Sequence, residues 1–149
     1  MTTKFLLQQW AEGRIRFSNL LPAITAADLS KKLAPAPNSI GFLMRHIAEV
    51  ELLYAKNIFK APNVKVIAKT VIEKQDNGQW TNLEELINLQ QYAYKQLQEA
   101  IALQSDDSWD EKIATKEFGE RTKAEALGRI TTHTAYHTGQ IALILKYGQ

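Results

Sequence analysis

Three histidines are the residues of this chain whose type and spacing could do chemistry. His133 and His137 are four positions apart, so both rings project from one face of a helix. His46 lies in an earlier helical segment, at a position where the pattern expects an inward-facing residue. Three neutral imidazoles can bind one divalent metal ion and leave coordination positions open for water or substrate. The spacing therefore predicts a mononuclear metal site with an available Lewis-acid role.

The same histidines also have an interpretation without metal. Buried imidazoles can be satisfied by carbonyls or by hydroxyls such as those of Thr134 and Tyr54. Two other kinds of metal site are excluded by the residues beside the histidines. The Glu-x-x-His motif of di-iron bundles is absent, because Leu43, Ile130 and Thr134 stand three positions before the histidines. The His-Glu-x-x-His motif of zinc peptidases is also absent, since Thr134 replaces its glutamate.

Four helical segments position these histidines. Their apolar periodicity and end signals place them at residues 3–21, 39–59, 81–103 and 122–147. Capping boxes are predicted at residues 81–84 and 122–125. Residues 60–80 are predicted to be an extended connection with a turn, and residues 105–121 a polar connector. These features predict an all-α protein, an antiparallel four-helix bundle with a long crossover connection, in a single domain over residues 1–149.

Composition limits the possible partners. The 149 residues are 45% hydrophobic and 23% charged, which is typical of a folded globular domain. The net charge is +2 with scattered basic residues, which argues against a nucleic-acid partner. No apolar run is long enough for a membrane span, and no secretory signal is visible, so we expect a cytoplasmic protein. The chain has no cysteine, so any thiol chemistry must arrive with a substrate.

Two segments carry a resemblance to a known family. Residues 38–51 (Asn-Ser-Ile-Gly-Phe-Leu-Met-Arg-His-Ile-Ala-Glu-Val-Glu) and 133–141 (His-Thr-Ala-Tyr-His-Thr-Gly-Gln-Ile) resemble the DinB/YfiT-like metalloproteins, whose length and helix order fit essentially the whole chain. The resemblance implies an antiparallel four-helix bundle, commonly a homodimer, with one divalent metal held by His46, His133 and His137. The family often has arginine where this chain has Thr138.

The resemblance also implies a kind of activity. Some members look like thiol-dependent transferases or isomerases, in which the metal holds a low-molecular-weight thiol such as bacillithiol or mycothiol as thiolate. We therefore expect a metal-dependent thiol S-transferase, isomerase or hydrolase that acts on a small electrophilic substrate. Zinc or nickel is the favoured metal, with iron and manganese as alternatives. The alternative function is a non-catalytic metal-binding or small-ligand-binding bundle, which Thr138 keeps open.

Five further residues are candidates for the site, although none is assigned a catalytic role. Two lie three positions after a histidine and could orient a ligand or contact bound water, namely Glu49 and Gln140. For these two, a solvated helix face or helix packing is the alternative. Three others could line a substrate pocket, namely Arg45, Tyr54 and Tyr136, although such side chains also pack at the edges of bundles.

Overall fold

Four amphipathic segments form the long helices of the protein. The computed structural model describes all residues 1–149. No helix is both long enough and apolar enough to cross a membrane. In chain order the elements are α1 (Thr2–Leu20), two 3₁₀ turns (Leu21–Ala23 and Ala26–Asp28), α2 (Ile40–Leu53) with a π-helical turn (Tyr54–Ile58), α3 (Lys69–Glu73), α4 (Leu83–Ala102), β1 (Lys112–Thr115), β2 (Gly119–Thr122) and α5 (Lys123–Tyr147).

Two of the long helices run in each direction. The Gln90 side chain of α4 donates to the carbonyl of Met44 in α2, and Gln104, just after α4, donates to the carbonyl of Phe59 at 3.1 Å. Helices α2 and α4 are therefore parallel neighbours. Helix α1 packs antiparallel to α4 and parallel to α5, while α5 packs antiparallel to α2. Since α4 starts level with the start of α2, the chain must return along the bundle between them, which confirms the predicted helical bundle with its crossover.

The crossover contains a short helix that the sequence analysis did not predict. We expected residues 60–80 to be extended because residues 64–72 are rich in β-branched side chains, but α3 forms inside this run. The carboxylate of Glu49 accepts hydrogen bonds from the backbone amides of Lys69 and Thr70, at 3.1 and 2.9 Å. These are first-turn amides without partners inside α3. A contact from α2 thus overrides the local β propensity.

The second connector is also more ordered than expected. Residues 105–121 were predicted to be a polar connector, yet β1 and β2 form an antiparallel hairpin in register from Lys112–Thr122 to Thr115–Gly119. Gly119 has φ +70°, a left-handed conformation that glycine adopts without a steric penalty. The hairpin leads directly into α5.

Side-chain caps set the starts of three of the four long helices, α2, α4 and α5. Ser39 caps α2, and Thr122 caps α5 in the predicted capping box. The predicted box at residues 81–84 is wrong by one position, because the cap of α4 is Asn82. Its side-chain oxygen accepts from the amide of Glu85 at 3.1 Å. Asparagine caps at least as well as threonine, and this register places two acidic residues in the first turn.

A buried polar network joins the four long helices. The Arg14 guanidinium of α1 donates to both carboxylate oxygens of Glu51 in α2, at 2.9 and 3.1 Å, and to the Gln90 side chain of α4 at 3.0 Å. Thr134 of α5 donates to the same carboxylate at 3.2 Å. Arg14 is 3% exposed and Glu51 is 0% exposed. The spacing of these four residues in the sequence does not link them to one another.

This network lies between two apolar clusters. On each of α1, α4 and α5, the residue that belongs to the network lies, in sequence, between a residue of one apolar cluster and a residue of the other. Buried charges are tolerated only when they are paired and hydrogen-bonded. The helices must therefore keep the positions along the bundle axis at which the hydrogen bonds of this network form. The pairs on either side of the network are Trp10 and Phe17 on α1, Ala93 and Leu86 on α4, and Ile130 and Ile141 on α5.

Replacing Arg14 by methionine tests the stabilising effect of the network. The variant leaves the Glu51 carboxylate buried without a cation, which costs about 3–5 kcal/mol for a buried pair. We expect urea denaturation to show a loss of that order in the free energy of unfolding. Lys95→Met is the control, because Lys95 forms an exposed pair with Glu99 at 4.0 Å and should change stability by less than about 1 kcal/mol. Equal losses in the two variants would contradict a stabilising network.

Candidate metal centre

Helices α2 and α5 bring the three histidines together in the middle of the bundle. His133 and His137 lie one turn apart on α5, and His46 faces them from α2. One ligand nitrogen from each ring lies within 4.8 Å of the others. The Nε2 atoms of His46 and His133 are 3.1 Å apart. All three rings are half-buried, so the cluster remains open on one side.

Two of the rings are held through their Nδ1 atoms. The Nδ1 of His137 donates to the side-chain oxygen of Gln140 at 2.6 Å. The Nδ1 of His46 lies 3.1 Å from the hydroxyl oxygen of Thr70. A hydrogen on Nδ1 leaves Nε2 as the nitrogen with the lone pair. Histidines that ligate metals in proteins are commonly held in this way.

Glu49 supports His46 through Thr70. The Thr70 hydroxyl donates to the Glu49 carboxylate, which is completely buried. The carboxylate also accepts from the Arg45 side chain at 2.6 Å and from two backbone amides of α3. Glu49 was expected to orient a metal ligand or contact bound water. In the structure it contacts His46 only through the intervening Thr70. Thr70 was missed because it lies 24 positions from His46, in a connector without helical periodicity.

Burial keeps the rings neutral. Together with the smaller effect of the charge of His137, it lowers the pKa of His46 from 6.5 to about 4. Burial likewise lowers the pKa of His133 to about 3, with smaller effects from His137, His46 and Arg129. The pKa of His137 is also lowered by burial, although its bond to Gln140 acts in the opposite direction. Near neutral pH all three rings therefore present lone pairs.

The donor set fits a divalent metal ion. Two nitrogens bound to one tetrahedral zinc ion lie about 3.3 Å apart, from Zn–N bonds of about 2.0–2.1 Å. The 3.1 Å between the Nε2 atoms of His46 and His133 is close to that separation. The other nitrogen of His133, Nδ1, is buried and has no hydrogen-bond partner. Imidazole nitrogens suit zinc, nickel, copper and iron, so the donors alone select no single metal.

A cavity of about 560 Å³ adjoins His133. Tyr54 and Tyr136, two of the expected pocket residues, line it together with Glu117 and Arg129. Burial raises the pKa of Tyr54, and the nearby Arg129 side chain acts in the opposite direction with a smaller effect. Tyr136 is 66% exposed at the cavity mouth. The cavity thus combines aromatic walls with one cation and one anion, beside a ring of the histidine cluster.

Two other expected positions lie away from this cavity. The Arg45 guanidinium bonds Glu49 and lies over the ring of Trp80, 4.7 Å from its centroid. Arg45 therefore supports the residue that holds Thr70. Thr138 donates to the carbonyl of Thr134 at 2.7 Å and lines a groove between α1 and α5. The position where the family often has arginine thus faces α1 in this chain.

Comparison with known proteins gives fold relatives and a family. No curated protein matches the chain. The crystal structure of the mycothiol-dependent maleylpyruvate isomerase is similar, with a TM-score of 0.70 and 19% sequence identity. A histidine-to-alanine mutant of that isomerase gives a TM-score of 0.71 and 18% identity. Each comparison covers 95% of this chain and 61% of the isomerase chain.

At this identity the likeness to the isomerase establishes the shared fold only. The chain spans 61% of the length of these structural neighbours. The family assignment rests on a separate comparison, in which the profile of the DinB superfamily matches residues 9–141. Because this match extends over well more than half of the sequence, the chain belongs to the DinB superfamily.

Proposed function

We propose that the protein binds one divalent metal ion through His46, His133 and His137 and uses it to activate a small thiol or a water molecule. The observation that carries this proposal is the convergence of three neutral imidazoles in which two Nδ1 atoms are already engaged. Polar rings at buried positions are costly unless a partner satisfies them. One cation shared by three lone pairs provides that partner.

The surrounding residues have separate tasks in the proposed site. Thr70 and Gln140 hold their rings so that Nε2 stays available. The cavity beside His133 accommodates a small substrate, with Tyr54 and Arg129 as the polar groups that orient it. A bound divalent ion lowers the pKa of a thiol or water that reaches it, which generates a nucleophile near neutral pH.

A thiol-dependent reaction on a small electrophile is the favoured activity. The absence of cysteine means that the nucleophilic thiol must be a separate small molecule. The structural neighbours, described as a mycothiol-dependent isomerase, support the same class of chemistry. In an isomerase the thiol adds to the electrophile and is released again, whereas in a transferase it remains in the product.

We also propose that the protein assembles as a homodimer, which light scattering would test.

Metal content is the first test of the proposed site. We expect about one equivalent of zinc or nickel per chain in protein purified without an affinity tag, measured by mass spectrometry. His137→Ala should lose most of this metal, because one of three ligands is removed. Leu143→Ala is a matched control on the exposed part of the same helix and should retain it. Wild-type protein that stays metal-free after reconstitution with zinc, nickel or manganese contradicts the proposal.

Cobalt substitution distinguishes an enzyme from a non-catalytic metal-binding bundle. We expect the visible spectrum of the cobalt form to change when a small thiol is added, because an open position admits a sulfur ligand. A spectrum that is indifferent to thiols indicates a closed site and favours the non-catalytic alternative. Spectral change without turnover of any thiol-reactive electrophile favours a small-ligand-binding function.

The neutral histidines predict a dependence of stability on pH in the protein stripped of metal. Their folded-state pKa values lie below 6.5, so between about pH 6.5 and 4 the unfolded chain binds protons that the folded chain does not. Stability therefore falls as pH decreases through this window. We expect urea denaturation to show the decrease, and the double variant His46→Gln, His133→Gln to show a smaller one. Identical pH profiles would contradict the assigned cause.

A further inference from the structure

Thr70 is the point at which the crossover contacts the histidine cluster. We propose that Thr70 is a positioning residue: the hydrogen-bonded chain Glu49–Thr70–His46 fixes the tautomer of His46 and couples metal binding to the seating of α3 against α2. This inference rests on the proposed metal site. It adds Thr70, which is not a metal ligand, and a coupling between metal binding and the position of α3.

The direction of the hydrogen bonds follows from counting protons. The Thr70 hydroxyl has a single hydrogen. It donates this hydrogen in a hydrogen bond to the Glu49 carboxylate, which can only accept. The hydroxyl oxygen must therefore accept from His46 across the 3.1 Å contact, which places a hydrogen on Nδ1 of the ring. Thr70 is 2% exposed and Glu49 is 0% exposed, so bulk water does not compete for these bonds.

Glu49 is itself held so that it cannot exchange roles with Thr70. Its carboxylate accepts from Arg45 and from the amides of Lys69 and Thr70, in addition to the Thr70 hydroxyl. Every one of these partners is a donor, and Arg45 forms an ion pair with the carboxylate. The Thr70 hydroxyl therefore donates its hydrogen to Glu49, and the His46 ring is the group that donates to the hydroxyl oxygen.

The chain of bonds determines which nitrogen of His46 is free. With hydrogen on Nδ1, the Nε2 atom presents its lone pair toward His133. The other tautomer would direct an N–H at the position of the metal and block ligation. Removing a residue that orients a metal ligand typically weakens metal affinity by about 10–100-fold.

The same bonds join the metal site to the crossover. Thr70 lies in α3, and the amides of Lys69 and Thr70 are bonded to the carboxylate that receives the hydroxyl. If seated α3 favours metal binding, metal binding must favour seated α3 by the same factor. Hydrogen exchange at these two amides therefore reports metal occupancy from outside the ligand set.

Thr70→Val is the central test, because it keeps the β-branched shape and removes the hydroxyl. We expect zinc affinity, measured by chelator competition near pH 7, to fall by about 10–100-fold. Thr70→Ser restores the hydroxyl and should bind within about threefold of wild type. Thr131→Val is the matched control, since that hydroxyl bonds only the carbonyl of Leu127 in its own helix.

Two readouts separate positioning from a merely structural effect. Nitrogen-15 spectra of the metal-free protein should show His46 with hydrogen on Nδ1 in the wild type and in Thr70→Ser, and a shift toward the other tautomer in Thr70→Val. Zinc should slow hydrogen exchange at the Lys69 and Thr70 amides of the wild type, and this protection should be lost in Thr70→Val. Circular dichroism checks that each variant keeps its helices.

Three outcomes overturn the inference. These are wild-type zinc affinity in Thr70→Val, an unchanged His46 tautomer in that variant, or an equal loss of affinity in Thr131→Val. Failure of the proposed function gives a different result, in which wild-type protein binds no metal while His46 still carries its hydrogen on Nδ1. The tautomer measurement needs no metal, so the two failures are distinguishable.

Discussion

The ion pair between Arg14 and Glu51 is the constraint on which the rest of the bundle depends. Apolar burial is non-directional, but a buried carboxylate requires its donors at particular positions. Because its donors come from α1 and α5, and Arg14 also donates to Gln90 of α4, satisfying this one group fixes the offsets of these three helices relative to α2. Thr134, which supplies one donor, lies between the two histidines of α5. Packing and the metal centre are therefore set by the same contacts.

Helix α2 uses two buried carboxylates for different purposes. Glu51 faces the centre of the bundle, whereas Glu49 faces the crossover and holds α3 in place. Two positions along a helix correspond to a rotation of about 200°, which accounts for the opposite directions of the two side chains. Between these two directions, His46 is presented on the side that faces α5. A single helix thus sets the bundle register and supports the site.

The sequence predicts the features that depend on local pattern. The four helices, the capping box at Thr122 and the shared face of His133 and His137 follow from periodicity and spacing. Thr70 could not be found in this way, because its role depends on where the crossover folds back against α2. The hairpin and the Arg14 network were missed for the same reason, since each requires partners distant in sequence. A charged residue such as Arg14 within an amphipathic segment was the available signal for a buried layer.

The parallel packing of α1 and α5 has a consequence for attaching other segments to this protein. Residue Thr3 lies at the end of the bundle where Gln104 is found, while Gln149 pairs with Lys32 at the opposite end. With α1 alone about 28 Å long, a polypeptide joined before the first residue and another joined after the last would leave in opposite directions. Fluorescent labels at the two positions would therefore report the length of the bundle, with the histidine cluster roughly midway between them.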